Sequence, residues 1–188
     1  MIYGQAALLG VSAATFFLFG LMVGNLTSSG SNQNGNAAVT GYVEDCRISG
    51  VVTYQSGGRN MVDVGAVVVL IPRGSTPKKR QAPGLIMPET FVALDNPTIE
   101  AIYNVGGTVV RADSDGKFDV LVDQGREFRL LVLSKNRGAK GRQLEEQQSA
   151  VLEAWFAPSE KLTRDNDFQW RDVDASSEKV DMGVVAFQ

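Results

Sequence analysis

The sequence predicts a mainly β domain, a sandwich, carried behind a single N-terminal transmembrane helix and holding one amphipathic helix near its C-terminal end. Three observations predict it. The 188 residues include 18 Lys or Arg and 21 Asp or Glu, yet no charged side chain precedes Glu44. Beyond that point, short β-branched and aromatic runs alternate with Gly-rich turns, as successive strands do. One later stretch, Arg142 to Ala157, repeats its apolar residues at helical spacing instead.

Ile2 to Leu26 is free of charge, and Ala6 to Val23 is almost entirely apolar or small. As a helix this stretch rises about 37 Å at about 1.5 Å per residue, enough to cross a hydrocarbon core of about 30 Å with some tilt. A soluble helix of that length would ordinarily show a polar face. A cleaved signal peptide would carry a basic n-region, a shorter apolar run and an A-x-A site; these are missing, so residues 1–26 are expected to remain as an anchor. Neither flank carries Lys or Arg, so charge does not set the orientation. On the expected helix, Ala6, Gly10, Ala13, Ala14, Gly20 and Gly24 gather on about a third of the circumference, with Gly20 and Gly24 as a GxxxG pair. Small residues let a second helix approach closely in lipid, so this face is expected to pack on another membrane subunit or on a second copy. The next stretch, residues 27–38, is Gly, Ser, Asn and Thr with little to bury and reads as a flexible linker.

Residues 39–188 read as one domain. Tyr42 to Tyr54 and Val62 to Ile71 are strand-like, the second nearly continuous in apolar residues up to Pro72. An insertion over 73–105 follows. Its first part, Arg73 to Pro88, reads as an exposed loop carrying the basic cluster Lys78, Lys79 and Arg80. Its later part, Pro97 to Asn104, reads as a short helix stopped by Gly106-Gly107. Thr108 to Ala112 and Lys117 to Val122 read as a hairpin across Asp113-Ser114-Asp115-Gly116. Glu127 to Leu133 is the next strand. At about 142–157, Leu144, Gln148, Val151, Leu152, Trp155 and Phe156 form one helical stripe ended by Pro158. Asp167 to Val173 and Lys179 to Phe187 are the last strands, with Val180, Met182, Val184 and Ala186 expected on one face.

Ile48 to Tyr54 (ISGVVTY), Asp63 to Pro72 (DVGAVVVLIP), and Ala112 to Phe118 (ADSDGKF) with Gly125 and Phe128 to Val132 (FRLLV) resemble the strands and turns of carboxypeptidase regulatory-like domains. The resemblance spans about Gly41 to Lys135, interrupted by the insertion. It implies a transthyretin-like seven-strand sandwich acting outside the cytoplasm in stability or interaction, without catalysis. Membrane-anchored forms with such extensions resemble bacterial surface proteins, which implies a single-pass protein of the cytoplasmic membrane with its N-terminus inside.

Composition narrows the chemistry. The chain has no His and one Cys, Cys46. This excludes His-based nucleophile systems, His-ligated metals, an internal disulfide and Cys-rich zinc sites. A net charge of −3 lacks the basic excess of a nucleic-acid binder. No cofactor, metal or catalytic residue is expected. Asp113-Ser114-Asp115-Gly116 lacks the Glu that a calcium loop needs at its twelfth position. Asp165-Asn166-Asp167 reads as a solvated turn. Cys46, Trp155 and Trp170 read as core. Lys78, Lys79 and Arg80 are candidates for contact with an acidic partner or anionic lipid.

The expected function is a non-enzymatic single-span membrane protein, an accessory or structural subunit docking on a larger membrane complex. Its expected partners are membrane lipid and either other subunits or itself. The alternative is a free-standing surface module binding a small ligand, carbohydrate or peptidoglycan, which requires an open concave site with exposed aromatics. A carboxylate-only enzyme would need two carboxyl groups about 5 to 9.5 Å apart in a cleft, and no spacing singles out such a pair.

Overall fold

The charged four-fifths of the chain divides its apolar residues between two interiors, and this division sets the architecture. A computed structural model describes residues 44–90, 95–138 and 140–188. The expected membrane helix, with Ala6, Gly10, Ala13, Ala14, Gly20 and Gly24, and the expected linker lie outside the described residues. Among the described residues no helix is long and apolar enough to cross a membrane. The elements run β1 (Asp45–Ser56), β2 (Arg59–Val62), β3 (Val67–Pro72), a 3-10 turn (Pro83–Ile86), α1 (Pro97–Tyr103), β4 (Thr108–Arg111), β5 (Lys117–Asp123), β6 (Glu127–Leu133), α2 (Glu146–Trp155), α3 (Lys161–Arg164), β7 (Phe168–Asp174) and β8 (Lys179–Phe187).

The strands build two sheets. In the first, β1 pairs with β8 in parallel along one edge, and with β5 and then β2, both antiparallel, along the other. The second runs β4-β3-β6-β7, all antiparallel. Between them lies one core: Ile48 and Val52 of β1, Val68 and Leu70 of β3, Phe118 and Val120 of β5, Phe128 and Leu130 of β6, Val185 and Phe187 of β8. A second core forms where the outer face of the second sheet, with Val67, Val69, Leu131 and Phe168, is covered by Ile86, Ile102, Leu152, Trp155 and Leu162 from the insertion and the helices. The chain is thus a mainly β sandwich with a helical layer on one side. β3 is buried on both faces, which is why its sequence is apolar without alternation. β5, with one face in water, alternates strictly.

Several expectations need correction. The apolar run Val62 to Ile71 is two strands. Asp63, fully buried, and Gly65 turn the chain between them, with the Asp63 N–H donating to the Val52 carbonyl at 2.9 Å and the Gly65 N–H to that of Ala112 at 2.9 Å. The expected hairpin across Asp113 to Gly116 is a crossover between sheets, since β4 pairs β3 while β5 pairs β1. Its turn is nonetheless a closed Asx turn: Asp113 Oδ1 accepts from the N–H groups of Asp115 and Lys117 at 2.8 and 2.9 Å. Only the first part of the insertion is an exposed loop. Pro83, Ile86, Met87 and Pro88 are buried against the second sheet, and the half-buried Arg111 guanidinium fastens them there. It donates to the carbonyls of Gly65, Met87, Pro88 and Thr90 at 2.5 to 3.1 Å. Burial lowers its pKa, against a smaller opposing effect of Glu89.

Helix α2 begins at Glu146, later than the stripe suggests. The Glu145 N–H donates to Gln148 Oε1 at 3.1 Å, a capping-box contact that starts the helix there. Phe156 leaves the helix in an extended conformation and bridges to Gln81. In β8 the expected alternation holds only to Gly183. Gly183, at φ +61°, is a bulge: the register against β1 shifts there, and the Gly183 N–H donates to Asp181 Oδ1 at 2.9 Å. Past it Val185 and Phe187 turn inward, while Val184 and Ala186 are exposed. Gly50 in β1 is constrained by packing: it faces the ring of Phe118, and a Cβ there would stand 2.8 Å from it. Cys46 is fully buried in the central core, as its strand position suggested; burial first, then the charge of Asp174, raises its thiol pKa. Asp165-Asn166-Asp167 is no solvated turn. Asp167 is fully buried, its carbonyl accepts from the Ser134 N–H at 2.9 Å, and its N–H donates to the Arg137 carbonyl at 3.0 Å.

Candidate ligand groove

The outer face of the second sheet is not covered evenly. Strand pairing sets its side chains in rows: Val67 with Leu133 and Phe168, Val69 with Leu131 and Trp170, and then Ile71 with Arg129 and Asp172. The first rows lie under the helices. In the last row Ile71 is buried, while Arg129 and Asp172 are polar and line the hollows left beside α2. Trp170 sits at the boundary: half-buried, it packs against the outer core on one side and lines open space on the other.

That open space is a groove built from adjoining hollows. One of about 200 Å³ lies between Arg142, Gln143, Gln148, Gln169 and Trp170. It continues past Trp170 into a polar notch of about 90 Å³ walled by Gln147, Gln148, Arg129, Arg73 and Asp172. Arg73 and Asp172 also line a further hollow of about 160 Å³ that ends at Val173 and Asp174. At the opposite end, Arg142 and Gln143 open onto a wide cleft of about 650 Å³ between α2 and α3. Of these hollows that cleft has the greatest volume, but among the described residues no aromatic side chain lines it.

Electrostatics along the groove are mixed. Arg73 Nη1 pairs with Glu127 Oε2 at 2.7 Å. Arg142 donates through Nη1 to the Phe168 carbonyl at 3.1 Å, and its Nε lies 3.9 Å from the buried Asp167 Oδ1. Glu145 and Asp172, the carboxylates that line the notch with Trp170, are both exposed. Planar amides, a guanidinium fork and an indole are the groups that suit a flat molecule rimmed with hydroxyls. The indole covers an apolar ring face, amides donate to and accept from neighbouring hydroxyls, and carboxylates accept from them.

The sequence-predicted site residues do not meet here. Lys78, Lys79 and Arg80 are exposed on the loop before the 3-10 turn, line none of these hollows and form no ion pair among the described residues. The small-residue helix face lies outside the described residues. Trp155 is fully buried as expected; Trp170 is not, and it is the groove's central residue. Its place was hinted at by the run Phe168, Trp170, Asp172, in which alternate residues change from apolar to charged. Among the described residues no three His, Cys, Asp or Glu side chains converge as metal ligands.

No protein-family model and no curated protein sequence matches the chain. Among solved structures it is similar to a candidate carbohydrate-binding protein of Pseudomonas aeruginosa, at 12% identity over 79% of this chain and 92% of that one, with a TM-score of 0.39. A likeness of that degree assigns neither family nor ligand to this chain.

Proposed function

We propose that the chain is a non-enzymatic binding module. A transthyretin-like sandwich, held at a bacterial cytoplasmic membrane by residues 1–26 and facing outward, takes a saccharide in the groove along Trp170. The observation that carries this reading is the partly buried indole of Trp170, which lines the groove between Gln148 and Gln143 on one side and Asp172 and Arg129 on the other. Binding rather than cleavage fits the exposure of Glu145 and Asp172, because a general acid for glycoside cleavage is ordinarily desolvated. The test is titration of the full-length protein in mild detergent with oligosaccharides of N-acetylglucosamine, read by calorimetry. Trp170→Ala is expected to weaken binding about tenfold or more, the loss of an aromatic contact worth about 1 to 2 kcal/mol. Unchanged affinity in a folded Trp170→Ala protein would remove the groove from the reading.

Docking on a membrane complex is favoured by a different surface. The outer face of the first sheet has no covering layer among the described residues. Pairing places Val51 beside Val184, and Thr53 between Val62 and Ala186, and Val184 is 60% and Val62 41% exposed. This reading expects partner proteins to co-migrate when the full-length protein is purified in mild detergent and analysed by mass spectrometry, and Val184→Lys to release them. A lone monomer in that preparation would count against it.

A further inference from the structure

Resting on the saccharide reading, we propose that the groove selects a sugar carrying a carboxylate on a short apolar arm, with Arg129 receiving the carboxylate. Arg129 stands at a junction. On one side it lines the polar notch beside Trp170. On the other it lines a separate hollow of about 200 Å³ whose walls include Ala150, Val151, Ala154 and Trp155 from α2. Among the described residues it is the one charged residue lining that hollow. The arginines around it differ: Arg73 is paired with Glu127, and Arg142 is engaged by Phe168 and faces Asp167. Arg129 is half-buried, yet among the described residues it forms no ion pair and no side-chain hydrogen bond. Asp172, its cross-strand neighbour, lies on the same groove without pairing to it.

A guanidinium on a groove wall that is engaged by no acceptor of the protein is open to one from a ligand. A carboxylate bound across its fork restores two charge-assisted hydrogen bonds. Placement follows from the acids nearby. Glu145 and Asp172 line the notch side and repel an anion there, whereas no carboxylate lines the hollow under α2. The geometry therefore points to a sugar ring over Trp170 whose arm passes Arg129. The carboxylate meets the guanidinium, and the arm's carbon atoms rest against Ala150, Val151 and Ala154.

Two disaccharides that differ by one group test this: N,N′-diacetylchitobiose, and N-acetylglucosaminyl-N-acetylmuramic acid, in which one ring carries a lactyl ether. Each is titrated against the full-length protein in mild detergent at low salt. The expected result is a preference of about tenfold or more for the lactyl compound, the scale of a charge-assisted pair. Arg129→Gln is expected to bring the two affinities within about twofold of each other, and Arg129→Lys to keep only part of the preference. Thermal melts of each variant verify that it is folded. Equal affinity of the wild-type protein for both sugars, or a preference that survives in Arg129→Gln, overturns the carboxylate assignment and leaves the saccharide reading standing. If neither sugar binds, both fall.

Discussion

Replacing Trp155 with Ala is expected to cost about 3 to 5 kcal/mol of folding stability, the range for truncating a fully buried large aromatic. Trp155 is 0% exposed, and its indole Nε1 donates to the Ser75 carbonyl at 3.0 Å. Its ring lies 6.3 Å from that of Phe156 in a tilted pair. It joins three parts of the chain: the α2 helix that carries it, the start of the insertion through Ser75, and the outer face of the second sheet. Truncation leaves a large cavity in a layer made of short elements that have little means of closing it. Against a typical total of about 5 to 15 kcal/mol, the helical layer should come loose. Urea denaturation of the full-length protein, followed by circular dichroism, measures the cost. Trp155→Phe separates the contributions, since it keeps the ring packing and removes the donor; about 1 to 2 kcal/mol is expected for it. Because Gln147 and Gln148 ride on α2, saccharide affinity should fall in Trp155→Ala as well. A loss under about 1 kcal/mol would show that the outer core does not hold the helix.

Asp63→Ala should be comparably damaging, at about 3 to 5 kcal/mol, for an electrostatic reason. The Asp63 carboxylate is fully buried and accepts from three donors: the hydroxyl of Ser134, the Asn136 Nδ2 at 2.7 Å and the Lys135 N–H at 3.2 Å. The Ser134 hydroxyl in turn accepts from the Arg137 N–H at 3.0 Å. One side chain thereby ties the turn between β2 and β3 to the segment leaving β6, so the turn that splits the apolar run is held by groups more than seventy residues away. Hydrogen bonds to a charged group contribute roughly 1.5 to 3 kcal/mol each and do not add fully. Removing the acceptor also leaves the Ser134 hydroxyl buried without its partner. Asp63→Asn can keep the oxygen that accepts from Lys135 and Asn136 but sets an NH2 against the Ser134 hydroxyl in place of its acceptor, and about half the loss is expected. Equilibrium unfolding of both variants provides the comparison. Equal stabilities for wild type and Asp63→Ala would mean that the segment after β6 is held by packing alone.

How far the sequence revealed this structure depended on what each signal reports. Alternation in Lys117 to Asp123 told which face of β5 is buried, and the Asp113 to Gly116 turn told where the chain reverses. Neither tells which strand lies alongside, because a period of two is the same whether the next strand joins its own sheet or the facing one. The apolar run up to Pro72 was read as a strand, but that it is buried on both faces, under a second layer, went unread, although a run without alternation is what such burial produces. The bulge at Gly183 went unread since one extra residue reverses the inward face of everything after it. The groove was hidden for a related reason. Whether Trp170 is covered depends on where α2 begins, and that is decided by the contact between Glu145 and Gln148 rather than by the apolar stripe. Arg129 was invisible as a site residue because its distinction is the absence of a partner, which only the arrangement in space shows.

The parallel ladder between β1 and β8 also orders events in time. It joins Arg47 to Lys179 and Tyr54 to Phe187, so the first sheet cannot close until nearly the whole domain has been synthesised. Pairings between such distant residues form late and slow folding. Until β8 arrives, the full length of one edge of β1 stands open with the apolar Ile48 and Val52 beside it. A nascent chain in that state is vulnerable to joining another like itself. The final nine-residue strand is therefore the cap that ends this vulnerable interval, and chains shortened before Lys179 are expected to aggregate rather than fold.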